Sequence, residues 1–546
     1  MKTPCDEAVI LSHSASVPCR REHGVWVLVA TIIASSMAFI DSTVVNVALP
    51  ALQSSFGASV VGVQWVVEAY GLALAALILV GGSMGDLFGR RQMFLLGVAI
   101  FTLASIGCGL ASRLGHLIAF RAIQGIGAAF LVPGSLALIS ASFGEQERGR
   151  AIGTWSGATA ITTALGPVLG GWLIQHLSWR WAFFINVPLA AAVISVSFWC
   201  LPESRSSRRG QIDWLGAMAA TVSLSGLVFA FIESTRWGWK HPLVLASLVA
   251  GLIGAVAFQR IERRVVSPMV PLELFQSRAF TGANLLTLFL YAATGIFFFL
   301  LPLNLIQVQG YSATAAGAAI LPMILLMFLL SRWSGGLVTR YGARLPLIVG
   351  PTIAALGFLL FSLPSVGGSY WATFFPAVVM LGLGMAVSVA PLTTVVMDAV
   401  DQDRVGTASG INNAVARIAG LLAIAIFGVI MVASFSVQLS RRLAGVEISA
   451  DARTELQSNA SRLAALRVPA EVDRATATAI RSSILSSFVA SFRLVMWVCA
   501  VFALLSATIA GRTIPGPLSQ RAAQKLGLAH GKSVGLPTQV HRESIG

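Results

Sequence analysis

Long apolar stretches, separated by short polar turns, recur along this chain from residue 25 to residue 511. Each stretch is about as long as the roughly 20 residues that an α-helix needs to cross a bilayer. The pattern predicts an all-α, polytopic membrane protein with fourteen spans, near 25–49, 62–83, 92–111, 114–140, 150–174, 181–201, 212–233, 242–259, 281–303, 313–335, 345–364, 370–396, 406–436 and 488–511.

Composition agrees with this pattern, because 56% of the residues are hydrophobic and only 11% are charged. The net charge of +15 could indicate nucleic-acid binding, but the basic residues gather in the predicted loops, as the positive-inside rule expects. We therefore expect a lipid bilayer around the chain and no nucleic-acid partner. The cysteines are too scattered for a disulfide framework or a metal site: Cys5, Cys19, Cys108, Cys200 and Cys499.

An even number of spans places both termini on one side of the membrane. The predicted short outer loops carry few basic residues: Arg113, Arg180, Arg236 and Lys240. Both termini are therefore predicted to be cytoplasmic. Four lysines (Lys2, Lys240, Lys525 and Lys532) among 37 basic residues favour a GC-rich bacterial source, so we expect the bacterial inner (plasma) membrane.

The chain repeats itself internally. The turn at 81–91 is echoed at 334–344, and the segment 144–151 is echoed at 401–408. Spans 1–6 therefore match spans 9–14, and spans 7 and 8 form an insert. The predicted units are a cytoplasmic tail 1–23, a six-helix bundle 24–201, linkers with two inserted helices 202–280, a second bundle 281–511 with a long outer loop 437–487, and a cytoplasmic tail 512–546.

Five segments together resemble the major facilitator superfamily, and within it the fourteen-helix drug:proton antiporter branch. Leu87 stands where a basic residue is usual, and Thr162 stands where a glycine is usual. The resemblance covers nearly the whole chain outside its ends and residues 437–487. Its segments are 39–50 in span 1, the turn 82–91, Arg121-Ala-Ile-Gln-Gly-Ile-Gly in span 4, Gly166-Pro-Val-Leu-Gly-Gly in span 5, and 178–188.

The resemblance assigns mechanical roles to two of these segments. The turn would lock the two halves in the outward-facing state through Gly82, Asp86, Gly89, Arg90 and Arg91, although arginines there would also follow from topology alone. Small residues in span 5 would let a helix pair seal the cavity, although ordinary tight packing also explains them: Thr162, Gly166, Pro167, Gly170 and Gly171.

Two acids stand out well inside predicted spans, where a charge costs about 2.5–3.5 kcal/mol on insertion scales. Asp41 lies deep in span 1 and is a candidate proton or cationic-substrate site; the alternative is a structural hydrogen bond. Glu68 shares a helix face with Gln64, Gly71 and Ala75, so it should point at the bundle. It is a candidate second proton carrier or, alternatively, a water-exposed acid near the outer mouth.

Two arginines, Arg121 and Arg417, also stand out inside spans. By resemblance, Arg121 takes part in proton coupling, although a fixed countercharge would serve too. Arg417 in span 13 is more easily explained as structural. Arg417 is also a possible cavity residue, with Asn46, Gln124 and Asn413, whereas most aromatic side chains fit interfacial or packing positions better.

These features favour a transporter, and the sequence shows no phosphate-binding loop or nucleophile elbow that would support an ATP-driven pump or an enzyme. We expect a proton-coupled exporter of amphipathic drugs, antibiotics or dyes, with Asp41, Glu68 and Arg121 coupling protons to substrate. Its partners would be the substrate, protons and lipid; it would need no cofactor or metal and no oligomer. The alternatives are a metabolite or siderophore exporter and a non-transporting membrane sensor.

Overall fold

The structure, a computed structural model, describes residues 21–516 apart from 202, 205–212, 266–267, 402–403 and 471. Most of both predicted tails, and the linker residues Arg205, Arg208 and Arg209, lie outside the described residues. Fourteen helices within the described ranges are long and apolar enough to cross a membrane, as predicted, and we number them α1–α14.

The first half has six spanning helices, of which α6 is interrupted at Ile185. They are α1 Arg21–Phe56, α2 Val60–Phe88, α3 Arg90–Leu110, α4 Leu114–Ser142, α5 Glu145–His176 and α6 Trp181–Phe184 with Asn186–Cys200. The insert follows as α7 Trp214–Trp237 and α8 Pro242–Glu262. Asp213 starts α7 by accepting a hydrogen bond from the backbone N–H of Gly216.

The second half also has six spanning helices. Its helices are α9 Arg278–Leu303, extended by a π-helical turn Asn304–Val308, then α10 Ala313–Ala318 with Leu321–Tyr341, α11 Arg344–Phe361, α12 Phe375–Asp398, α13 Val405–Leu443 and α14 Arg474–Thr513. Shorter elements are the 3₁₀ helices Leu272–Gln276 and Ala460–Ala465 and the α-helices Tyr370–Thr373 and Ala450–Ser458.

The largest difference from the predicted edges concerns the long outer loop. Helix α13 continues to Leu443 and α14 begins at Arg474, so the predicted loop 437–487 shrinks to 444–473. The α13 extension carries Ser440, Arg441 and Arg442, and the α14 extension is rich in Ser, Thr and Arg. Hydropathy counts these residues against a span, although a helix accommodates them at small cost. The segment between the two helices holds the short helices Ala450–Ser458 and Ala460–Ala465.

Glycines let neighbouring helices of one half approach backbone to backbone. A Cβ on Gly127 of α4 would lie 2.5 Å from the Phe101 backbone N of α3, and a Cβ on Gly97 would lie 2.8 Å from the Leu131 N. The same close approach joins α11 to α12, where a Cβ on Gly357 would lie 2.6 Å from the Leu381 N. Small residues at such crossings are the usual means of packing helices in a membrane.

The insert lies between the two halves. Helix α7 packs against α2 of the first half and α13 of the second, while α8 packs on the outer face of α7. Val228 and Ile232 of α7 form one buried cluster with Val61 of α2 and Ala425 of α13. We call this three-helix contact, of α2, α7 and α13, the seam.

The bundle has two ends, which differ in charge. The basic end carries the turn 86–91, the α4–α5 junction and the α10–α11 turn with Arg340 and Arg344. The loop end carries the α1–α2 turn at 57–59 and the segment 444–473. The 3₁₀ helix of that segment contacts α1 and α2 as well as α13 and α14, so it touches both halves.

Candidate functional site

A cavity of about 1950 Å³ lies between the two halves. Its wall is formed on one side by α1, α2, α4 and α5 and on the other by α9, α10, α12 and α13. Towards the basic end it is lined by Arg150, Thr154, Ser331 and Met397. Such a chamber between two repeats is where transported molecules bind in transporters of this architecture.

A buried ion pair lies at the cavity wall. Arg121 of α4 donates through Nη1 to Oδ2 of Asp41 on α1, and the two side chains are 1% and 0% exposed. Gln124, one turn along α4, accepts from Arg121 Nη1 at 2.7 Å and donates to Asp41 Oδ1 at 2.8 Å. All three predicted residues therefore meet in one network, because positions three apart share a helix face.

Further groups hold this network in place. The Arg121 Nε donates to the carbonyl of Val66 at 3.0 Å, and its guanidinium lies 4.3 Å over the Tyr70 ring. Ser105 accepts from Gln124 at 2.7 Å and from Asn186 at 3.1 Å. Arg121 and Tyr70 line the cavity, whereas Asp41 is fully buried behind them. The acid is thus one side chain away from the chamber.

Glu68 lies in the seam and not at the cavity wall. It is 0% exposed, and neither of its carboxylate oxygens has a hydrogen-bond partner among the described residues. One turn away on α2, Trp65 donates its indole N–H to Oε1 of Glu233 on α7, at 2.8 Å. Glu233 is 7% exposed and its Oε2 also has no partner within the described ranges. The seam therefore holds two buried acids.

The small residues of α5 make two kinds of contact. Within the first half, Thr162 bonds Ser36 of α1 at 2.9 Å, and a Cβ on Gly170 would lie 2.6 Å from Val44. Gly166 likewise faces Thr43 without room for a side chain.

Between the halves, Gly171 and Pro167 of α5 meet the start of α10. A Cβ on Gly171 would overlap the Ala313 carbonyl, and one on Gly317 would overlap the carbonyl of Pro167. Gln307 adds a hydrogen bond of 2.8 Å to Gln53. These contacts lie beyond the cavity towards the loop end, so they close it there.

The turn at the basic end is held within its own half. Arg90 pairs with Asp86 at 2.8 Å, and Arg91 donates through Nη2 to the carbonyl of Phe198 on α6. Glu203 accepts the backbone N–H groups of Arg91 and Gln92, both at 3.2 Å, and so caps α3. The described contacts of the turn are with α6 and the residues after it.

Gly89 and Gly82 of this turn have different surroundings. Gly89 has φ +120°, and a Cβ there would lie 2.7 Å from Glu203 Oε1, so the turn requires glycine twice over. A Cβ on Gly82 would only touch Pro133 at 3.7 Å.

Of the remaining predicted cavity residues, two line the chamber and one lies outside its described lining. Asn46 and Arg417 line the chamber, and Arg417 is half-buried there. Asn413 is exposed, bonds its own helix through the Ser409 carbonyl and is not among the described lining residues. The described lining of the chamber includes four aromatic residues: Tyr70, Tyr291, Phe298 and Phe328.

Sequence reasoning missed several residues of these sites. Ser105 and Asn186 are ordinary small polar residues in apolar spans, and Glu233 lies near a predicted span edge, where an acid attracts no attention. Glu203 lies at the start of the linker after α6, where a charged residue is common. For Glu233, the signal available was an acid in an insert helix that should otherwise face lipid. Within the described ranges no group of three or more His, Cys, Asp or Glu could hold a metal ion.

Comparison with known proteins shows which family the chain resembles. Residues 31–424 match the model of the Major Facilitator Superfamily. Multidrug resistance protein Stp of Mycobacterium tuberculosis is 37% identical over 425 residues, which are 76% of this chain and 77% of that protein. The tetracenomycin C resistance and export protein of Streptomyces glaucescens is 33% identical over 411 residues, 74% of this chain and 75% of that protein.

A solved structure shares the fold. The crystal structure of a bacterial homologue of the human lysosomal transporter Spinster, in an inward-facing and unoccupied conformation, matches with a TM-score of 0.62. The match covers 91% of this chain and all of that chain, at 17% identity, so it bears on the fold alone.

Proposed function

Because this chain belongs to the Major Facilitator Superfamily, and is a multi-pass transport protein rather than an enzyme, we propose that it exports drugs, antibiotics or dyes in exchange for protons. The named activities of its relatives support this direction of transport, since they are resistance and export proteins at 33–37% identity. The sensor alternative has no support from these relatives.

The observation that carries the proton coupling is the Asp41–Arg121–Gln124 network at the chamber wall. While Asp41 is ionised, it holds Arg121 by a charge-assisted bond. A proton on Asp41 would remove that attraction and let the guanidinium turn towards the chamber. Proton binding to Asp41 and the position of Arg121 would therefore be linked. The affinity for a substrate that contacts Arg121 would then depend on whether Asp41 is protonated.

Glu68 is proposed as a second proton carrier. An ionised carboxylate without a partner is strongly disfavoured in a dry interior, whereas a protonated one is neutral. In the observed conformation, Glu68 would therefore hold a proton. Rearrangement of α2 against α13 would change its surroundings, because α2 and α13 belong to different halves.

We propose that the basic end faces the cytoplasm of a bacterial cell, with both termini on that side, because short loops retain Lys and Arg inside. The chamber would then open inward, and the contact of Gly171 with Ala313 would be the closed outer gate. Alternating access would break this contact and close the basic end. The proton gradient would supply the energy without a cofactor, and a monomer would suffice.

The test is substrate-induced proton movement in energised inverted vesicles that contain the protein, with a panel of antibiotics and dyes. Compounds that are exported should dissipate the pH gradient, and vesicles with Asp41→Asn should not respond. A silent panel, with protein shown to be folded and inserted, would reject drug export and leave a dedicated metabolite or siderophore as the substrate. Equal responses from wild type and Asp41→Asn would reject Asp41 as the coupling residue.

A further inference from the structure

The charged groups that face the central chamber are all of one sign. Three charged residues line it within the described part of the chain, and all are arginines: Arg121, Arg150 and Arg417. The described lining includes no Asp or Glu. Asp41 and Glu68 are both fully buried and do not line it. A molecule in the chamber therefore meets positive charge.

Arg417 is the lining arginine whose charge acts most strongly inside the chamber. Arg121 is already neutralised by Asp41, and Arg150 is exposed at the basic end. Arg417 is half-buried on α13, close to the contact between Leu421 and Gly71, and has no hydrogen-bond or ion-pair partner among the described residues. An unpaired guanidinium in a low-dielectric chamber favours an anion, which it can hold by two parallel hydrogen bonds.

The rest of the chamber fits an apolar, ring-shaped body. Tyr291 and Phe298 of α9 line it together with methionines of the second half, Met323, Met327 and Met385. Aromatic faces stack on flat ligands, and thioether side chains adapt to different shapes. Arg417 would thus meet the polar end of a molecule whose apolar part lies against the second half.

A separate cavity at the loop end is also lined by positively charged residues. About 760 Å³ lies between α1, the start of α10 and the 3₁₀ helix of residues 460–465. Its described lining holds three arginines and no carboxylate: Arg462, Arg467 and Arg481. A substrate that leaves between the halves at this end would pass these arginines. Both chambers therefore favour the same ligand charge.

We infer that the transported molecule is an amphipathic organic anion, a ring system with a carboxylate, sulfonate or phenolate, and not a lipophilic cation. The inference rests on the proposed export function and names its substrate class. A cation in the chamber would be repelled by Arg417 and would find no carboxylate among the described lining residues. An anion would be held there and would compete with Asp41 for Arg121.

Two dyes with the same xanthene ring and opposite charge test this directly. Binding of fluorescein, an anion, and of rhodamine 6G, a cation, is measured by fluorescence anisotropy on the purified full chain in slightly alkaline buffer. We expect fluorescein to bind at least about tenfold more tightly. Arg417→Gln should reduce fluorescein affinity about tenfold or more, as expected for loss of a charged hydrogen bond, and Arg417→Lys should retain most of it. Arg441→Gln, on the same helix outside the chamber, is the matched control.

Each outcome bears on the inference. Equal or tighter binding of rhodamine 6G, no fluorescein binding up to its solubility, or equal fluorescein affinity of Arg417→Gln and Arg441→Gln would each overturn it. Transport measurements in proteoliposomes with an imposed pH gradient distinguish failure of the anion-site inference from failure of the export proposal. Selective fluorescein binding without gradient-driven movement of fluorescein would reject export and leave the anion site standing.

Discussion

Replacing Asp41 by Asn removes one charge from the ion pair and changes little else. The side chain keeps its size, and its Oδ1 can still accept from Gln124. The Nδ2 group, however, would face the Arg121 Nη1, so that two donors meet where a donor and an acceptor met before. The variant therefore leaves a buried guanidinium without its counterion.

The size of the effect follows from the burial of the pair. Both side chains are at most 1% exposed, so the weak screening typical of surface pairs does not apply. Breaking a buried pair from one side costs about 3–5 kcal/mol. Removing both charges together, in Asp41→Asn with Arg121→Gln, should recover most of that loss, because no unpaired charge remains.

Two measurements distinguish a structural role of the ion pair from a role in proton coupling. Thermal unfolding of the purified variants reports their stability, and gradient-driven transport reports the coupling. We expect each single variant to unfold several degrees below wild type, the double variant to unfold close to wild type, and all three to lose transport driven by the pH gradient. A folded double variant without coupled transport would show that the pair couples protons and does more than stabilise. Normal gradient-driven transport by Asp41→Asn, or equal unfolding temperatures of the single and double variants, would refute this reasoning.

Three further predictions use other contacts. Gly171→Val should favour a conformation open at the loop end, since the side chain overlaps the Ala313 carbonyl; spin-label distances across that end would increase. Gly89→Ala should lower stability by about 1–3 kcal/mol in thermal unfolding, because its φ of +120° suits glycine. Trp65→Phe should cost about 1–3 kcal/mol by the same measurement, since it leaves both oxygens of Glu233 unpaired.

Each of these variants has a matched control elsewhere in the chain. Gly149→Val on α5 meets open space and should leave the spin-label distances unchanged, so an equal shift would contradict the gate. Gly85→Ala, with its nearest neighbour at 4.0 Å, should be nearly neutral. Trp239→Phe, an exposed tryptophan after α7, is the control for Trp65; equal losses from the two would remove the role of the Glu233 hydrogen bond.

The sequence predicted the fold well because its signals are local. The number of spans follows from the lengths of the apolar stretches, and the insert follows from the repeated turns. The network of Asp41, Arg121 and Gln124 could be anticipated in part, since Arg121 and Gln124 share a helix face. Its exact partners could not, because contacts between α1, α3, α4 and α6 depend on how the helices pack.

The position of Glu68 shows the limit most clearly. Its face was correctly predicted to point into the bundle, and it is fully buried. That Glu68 lies in the seam, while Gly71 of the same face lines the central chamber, depends on where the insert lies, and hydropathy carries no information about that. Asn413 shows the opposite error: one turn before Arg417, it remains outside the lining of the chamber.

The contact that closes the loop end is weakly held, which supports the proposal that protonation opens it. No ion pair among the described residues joins the two halves, since Asp41–Arg121 and Asp86–Arg90 lie in the first half and Glu273–Arg404 joins the linker before α9 to the start of α13. Neutral contacts close the loop end: glycine packing of α5 on α10 and hydrogen bonds such as Gln53–Gln307. A neutral hydrogen bond contributes only about 0.5–1.5 kcal/mol net. A shift of one pKa unit between two conformations is worth 1.36 kcal/mol, so protonation of one or two buried acids supplies energy on the scale needed to open such a gate.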